Sequence, residues 1–306
     1  MFPEAVGISQ LILSTEPLKS AAPPRALWAG TKYSVRAVWA HRELLSLLVR
    51  REIKSRYKDS SLGFFWSLAK PLTQLLIYYV AVGKFLGADR AIPQFAIFIF
   101  TGLTIWALFS EIISSTTSSI VDNSGLVKKV YVPRELFPLA AVGSSLVNFG
   151  IQFGILTAAV LATQPPPFFG DDLWLLPLAL IALILLSLAF GLFLSAANVY
   201  LRDIKHLIEV GLVVLFWASP IVYSFDMVHG ALDGSFLEQV YLWNPMTVAI
   251  LSFQRVFWRA GTHDTAIYWP PDLAFRLVII SIVSLALVWV AQRFFAKLEG
   301  NFAQEL

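Results

Sequence analysis

Read for hydrophobicity alone, the chain is a series of long apolar blocks separated by short polar or turn-rich stretches. Six blocks lie at about 63–86, 92–113, 136–161, 173–199, 207–223 and 273–294. Each is near the ~20 residues that an α-helix needs to cross bilayer hydrocarbon. The pattern therefore predicts an all-α polytopic membrane protein with six transmembrane helices. Met246–Phe257 is apolar too, but only one short helix long. Its segment, about 226–270, reads as re-entrant or interfacial rather than as another crossing. The stretch after Ile113 is rich in Ser and Thr, and 114–135 reads as too polar for lipid.

Ahead of the first block the pattern changes. Residues 1–26 show no clear period and read as a flexible tail. In 27–58, Trp28, Val35, Val38, Leu45, Leu48, Val49 and Ile53 recur at roughly helical spacing. Arg42, Arg50, Arg51, Lys54, Arg56 and Lys58 supply cationic heads. This segment reads as an amphipathic helix along the anionic inner face of a membrane, in contact with its lipids. An ordinary surface helix is the plainer reading. Residues 59–306 then form the six-helix domain.

Composition agrees with the blocks. Of 306 residues, 57% are hydrophobic and only 14% charged, against about 25% charged in a soluble domain. Mean hydropathy is +0.70. Charge placement adds a direction. With six spans and the N-terminus inside, seventeen of the twenty-three Lys and Arg fall on the inner side and four on the outer. That positive-inside bias places both termini in the cytoplasm. The net charge is only +3, so basicity gives no reason to expect nucleic acid as a partner.

Several chemistries have no residues to carry them. There is no cysteine, and no Walker-type phosphate loop, nucleophile elbow or HExxH motif. The four histidines are dispersed, so no metal site, catalytic residue or bound cofactor is expected. Few ionisable residues lie deep in the blocks, which argues against a self-powered proton carrier.

Three groups of residues suggest function. Between Asp122 and Glu135, Leu126, Val127 and Val130 form an apolar side, with Lys128, Lys129 and Arg134 as charges. A short amphipathic helix of this kind can dock a soluble partner, or simply anchor the next span. Arg202 and Asp203 sit in the short connector YLRDIKH, again a contact surface or a topological anchor. Tyr78, Tyr79, Trp106, Phe109, Trp217 and Tyr223 lie in or near spans. Such rings anchor helices at membrane interfaces, or line a pore whose faces pack against sugar rings.

Taken in order, the segments SLGFFWSLAKPLTQLLIYYVAVGKF (61–85), YVPRELFPLA (131–140), NVYLRDIKHLIEVGLVVLFWASPIVY (198–223), WNPM (243–246) and RFFAKLEGNFAQEL (293–306) resemble a known family. They are similar to the transmembrane subunit of ABC-2 type transporters that export polysaccharides or polyol phosphates, such as O-antigen, teichoic acid or galactan. The resemblance spans about residues 35–306. It implies a six-helix permease with an N-terminal interface helix and external re-entrant helices. It implies a homodimer in a bacterial inner or plasma membrane, working with two copies of a separate ATPase. That partner would hold ATP and Mg2+. The implied activity is export of a lipid-linked polysaccharide. Asp122, Lys128, Lys129, Arg134 and Glu135 would belong to the main coupling loop, and Arg202 and Asp203 to a second contact region. Arg56 and Lys58 become candidates for lipid phosphates. An ABC-2 permease for drugs or lipids and a non-transporting scaffold for glycan biosynthesis remain open at this point.

Overall fold

A computed structural model describes residues 27–57, 65–130, 132–162, 171–232, 234–262 and 267–306. The tail at 1–26, Lys58 and most of the Pro-rich connector near 165–170 lie outside the described residues. The described elements are all helical.

The amphipathic segment forms two helices, α1 (Leu27–Ala40) and α2 (Arg42–Tyr57). They break at His41, whose Nδ1 lies 2.7 Å from the Ala37 carbonyl. Next come α3 (Phe65–Tyr78), running directly into a π-helical segment (Tyr79–Phe85), and then α4 (Phe95–Asp122), the short α5 (Ser124–Lys129) and α6 (Leu136–Leu161). They are followed by α7 (Leu175–Tyr200), α8 (Ile204–Trp217), α9 (Phe225–Leu232), α10 (Phe236–Leu242), α11 (Pro245–Phe257) and α12 (Leu273–Leu298). One-turn helical pieces join some of them.

Six membrane-crossing helices were expected, but among the described residues four helices are long and apolar enough to cross. These are built on α4, α6, α7 and α12. Two of the apolar blocks fold differently. The first contains Pro71, which has no N–H for the helix ladder. Its α-helix lasts 14 residues before the π-helical segment takes over. The fifth ends as α8 after 14 residues, or about 21 Å of rise, and the chain turns through Ser219 and Pro220. Hydropathy finds apolar runs but does not measure uninterrupted helix.

The second block departs in the opposite sense. Its helix does not stop near Ile113 but continues through the Ser/Thr-rich stretch to Asp122. Thr116 and Thr117 donate to the carbonyls of Ile112 and Ile113 at 2.6 and 2.7 Å. Hydroxyls satisfied within their own helix can be buried. Gly191 of α7 lies against this stretch. A Cβ there would meet Thr116 Oγ1 at 2.5 Å, so only glycine permits the approach. Across the same gap, Asn198 Nδ2 donates to the Thr117 carbonyl at 3.0 Å.

α4 is the centre of the fold, packed by α6, α7, α11 and α8. The expected interfacial stretch Met246–Phe257 is α11, and nearly all of it is buried in the main core. Asn244 caps it by accepting from the Met246 N–H, with Pro245 in the first turn. α7 and α12 run side by side in the same direction. Tyr200 donates to the Leu298 carbonyl at one end. Leu175 and Leu273 enter the main core at the other.

The two amphipathic helices are not loose on a surface. α2 packs on α6, so closely at Gly143 that a Cβ would come within 2.8 Å of Val49. α1 meets α12, where Trp289 Nε1 donates to Thr31 Oγ1 at 3.1 Å.

Candidate functional site

The largest described cavity, about 670 Å3, opens beside α4. Its wall follows from helical geometry. Residues four apart on an α-helix share a face, and Trp106, Ser110, Ser114 and Ser118 form such a row on α4. Glu111 and Ser115 form the adjacent row. α6 adds Asn148 and Gln152, also four apart, and α3 adds Pro71 and Gln74. Arg56 from the last turn of α2 and Lys205 from the first turn of α8 complete the polar lining.

The electrostatic centre is Glu111. One carboxylate oxygen is paired with the Arg56 guanidinium. The other accepts from Asn148 Nδ2 at 2.7 Å. Asn148 Oδ1 and Gln152 Oε1 are buried acceptors with no hydrogen-bond partner among the described residues. The hydroxyl and amide side chains of such a wall suit a ligand that carries hydroxyl groups. A smaller cavity, about 60 Å3, shares Ser115 and Ser118 and extends past Ser119 to Asp122, Arg51 and Glu52. Polar groups thus continue from the middle of α4 to its α5 end.

A third cavity, about 180 Å3, lies where α1, the turn before α6 and the chain's last residues converge. Ser34, His41, Arg134, Glu135 and Glu299 line it. Glu135 is buried and accepts from Gln292 Nε2 at 2.8 Å. Burial raises its carboxyl above the usual range, with hydrogen bonds from Gln292 and Ser34 and the charge of Arg293 opposing.

The residues expected to touch a partner are distributed unevenly. Asp122, Lys128, Lys129, Arg202 and Asp203 are exposed. Val127, between them, is buried in a small core with Phe137, Val199 and Phe295, which fixes α5 to the ends of the long helices. Arg134 is half-buried with its guanidinium 5.9 Å from the Phe302 ring. Glu135 points into the protein. Of the lipid-phosphate candidates, Arg56 faces the large cavity.

Among the six aromatics, Trp106 lines that cavity. Phe109 is buried 6.0 Å from the Trp106 ring. Tyr78 stacks on Phe216 at 5.8 Å, and Lys84 Nζ sits 5.4 Å from the Tyr79 ring. Trp217 is exposed, and Tyr223 donates to its carbonyl at 2.7 Å. Tyr78, Trp106 and Trp217 meet through the Phe216 ring, at 5.8, 5.4 and 5.6 Å. The residues that sequence reasoning passed over are Ser110, Ser114, Ser118, Asn148 and Gln152. Their signal was polar positions recurring at a spacing of four, within the block at 136–161 and across the end of the block at 92–113.

Comparison with known proteins gives the chain a family and relatives. Residues 43–258 match the family described as ABC-2 type transporter. The chain is 29% identical to the O-antigen export system permease protein RfbA of Myxococcus xanthus, over 89% of this chain and 98% of that protein. A Klebsiella pneumoniae protein of the same description is 26% identical, over 86% of this chain and 95% of its own length. The polysialic acid transport protein KpsM of Escherichia coli is 24% identical over 65% of this chain and 75% of that protein.

Proposed function

Because the chain belongs to the ABC-2 type transporter family, as the membrane permease subunit of an exporter, we propose that it moves a lipid-linked cell-envelope polysaccharide out of the cytoplasm across a bacterial inner or plasma membrane. The likeness to O-antigen export permeases along almost their whole length carries this reading. The large cavity suits the cargo. Its Ser, Asn and Gln side chains offer exchangeable hydrogen bonds to sugar hydroxyls, and Trp106 offers a ring face.

The basic end of the bundle, with Lys128, Lys129, Arg202 and Lys205, is the cytoplasmic end by the positive-inside rule. Both termini lie on that side in this reading. There α5 and the Arg202–Asp203 turn receive a separate ATPase, which binds ATP and Mg2+. Closure of two ATPase copies pushes on α5, and the buried Val127 passes that motion to the ends of the long helices. A second copy of the permease completes the path. A polar wall containing Arg56, Glu111 and Lys205 is not solvated by lipid. The exposed apolar face of α8, Leu207, Val210, Val213, Val214 and Trp217, starts next to Lys205 on the cavity rim and supplies the neighbouring contact.

Conditional depletion of the chain in its native cell tests the reading. Finished, lipid-linked glycan is expected to accumulate on the cytoplasmic side. Undiminished export would overturn it.

A further inference from the structure

The described lining of the large cavity contains two cations and one carboxylate. Arg56 reaches Glu111 across 55 positions of sequence, from the amphipathic α2 into the middle of α4. Neither side chain is sealed away: they are 27% and 21% exposed. The pair therefore opens onto the cavity. Lys205 lines the same space from α8. One carboxylate against two cations leaves the described lining with a net charge of about +1, and one of the two cations, Arg56, is paired with the carboxylate.

We propose that Glu111 is a placeholder anion: it holds Arg56 until a phosphate group entering the cavity takes the guanidinium from it. Guanidinium groups bind phosphate oxygens through paired N–H donors and exchange a carboxylate for a phosphate without loss of geometry. Glu111 is built to be left behind, because Asn148 still donates to its other oxygen after Arg56 departs. Lys205 supplies the second positive charge for the incoming group. The exchange also ties occupancy to α2, since Arg56 is in that helix's last turn and α2 packs along α6. The inference rests on the cavity being part of the export path. The phosphate has two sources, the phosphorylated end of a lipid-linked glycan or a bilayer phospholipid headgroup.

Full-length protein in nanodiscs of zwitterionic phosphatidylcholine is titrated with farnesyl diphosphate, dioctanoyl phosphatidylglycerol and uncharged farnesol. Glu111→Gln is expected to tighten binding of a phosphate-bearing probe about tenfold. Arg56→Gln in the same chain is expected to remove that gain, and farnesol binding is expected to stay constant. A larger gain for the diphosphate assigns the site to the prenyl-linked substrate, and a larger gain for phosphatidylglycerol assigns it to a headgroup. Either supports the exchange. Unchanged affinity for both phosphates overturns it, as does an equal gain for farnesol. Thermal unfolding is followed in parallel. If Glu111→Gln does not fold, Glu111→Asp, which draws the carboxylate back by one methylene, replaces it with the same expected direction. Glycan export by the wild-type chain together with unchanged binding in the variant would remove the placeholder and leave the transport reading standing.

Discussion

Glu135 sits at the mouth of α6, buried beside Gln292 and lining a cavity shared with Glu299. Because burial raises its carboxyl, the folded protein keeps this proton at pH values where the unfolded chain has lost it. Below the ordinary carboxylate pKa both states are protonated and the group is neutral to folding. As pH climbs from there through the raised value, stability falls. Glu299, raised to about 8 by burial and by the charge of Glu135, contributes with the same sign, so thermal melts of the purified protein between about pH 4.5 and 8 are expected to show that decline, and Glu135→Gln to make it shallower. A second residue-scale prediction concerns close packing. Gly191→Ala drives a methyl into Thr116 and is expected to cost about 1–3 kcal/mol, read as a lower melting temperature. Gly150→Ala, with open space around its Cβ, is expected not to. The Arg56–Glu111 pair shows what sequence leaves hidden at this scale. Both charges are evident in the chain, one as a helix-terminal cation and one as an acid near the end of a block. Nothing local connects two positions so far apart, and only the docking of α2 brings them together.

Among the elements, α5 is the one whose surface and anchor can be separated experimentally. Lys128 and Lys129 face outward while Val127 is held in the small core. Replacing both lysines by alanine is expected to lower transport-coupled ATPase activity in the reconstituted complex without changing the melting temperature of the permease. Val127→Ala removes buried methyl groups and is expected to lower both. Unchanged coupling in the double lysine variant would take α5 out of the ATPase contact. The elements also mark where hydropathy succeeded. The blocks at 136–161 and 173–199 became α6 and α7 almost unaltered, because uninterrupted apolar runs leave the backbone little alternative in lipid. The block at 92–113 was read too short. A hydropathy scale treats each Ser and Thr as a group that needs water, whereas in α4 those hydroxyls bond back to carbonyls one turn earlier. The block at 207–223 was read too long at its far end, where the chain turns at Ser219 and Pro220, whereas that at 63–86 stays helical from Phe65 to Phe85 but changes from α to π at Tyr79, a change of hydrogen bonding that hydropathy does not register. The wall of the cavity was legible in principle through its four-residue period, but the apolar majority around it masked the signal.

For the whole molecule, the proposed path shared by two copies makes a prediction about assembly, because polar and charged groups such as those lining the large cavity are costly to leave facing lipid. The permease in mild detergent is expected to run at twice its chain mass by native mass spectrometry. Cysteine pairs introduced along the exposed face of α8, in a chain with no native cysteine, are expected to cross-link one copy to the other. A strictly monomeric chain that still exports would refute the shared path. The parallel arrangement of α7 and α12 has a separate consequence, for synthesis rather than transport. Neighbours joined by a tight turn can pack as soon as both emerge, but these two are far apart in sequence: Tyr200 meets Leu298 across 98 positions. α7 must therefore wait, with the face that α12 will cover turned toward lipid, while α8 to α11 are made and placed. When α12 follows, it covers that face. A chain cut short before Leu273 is left with that face open, and degradation of such truncated chains would be the cell's reading of an unfinished assembly.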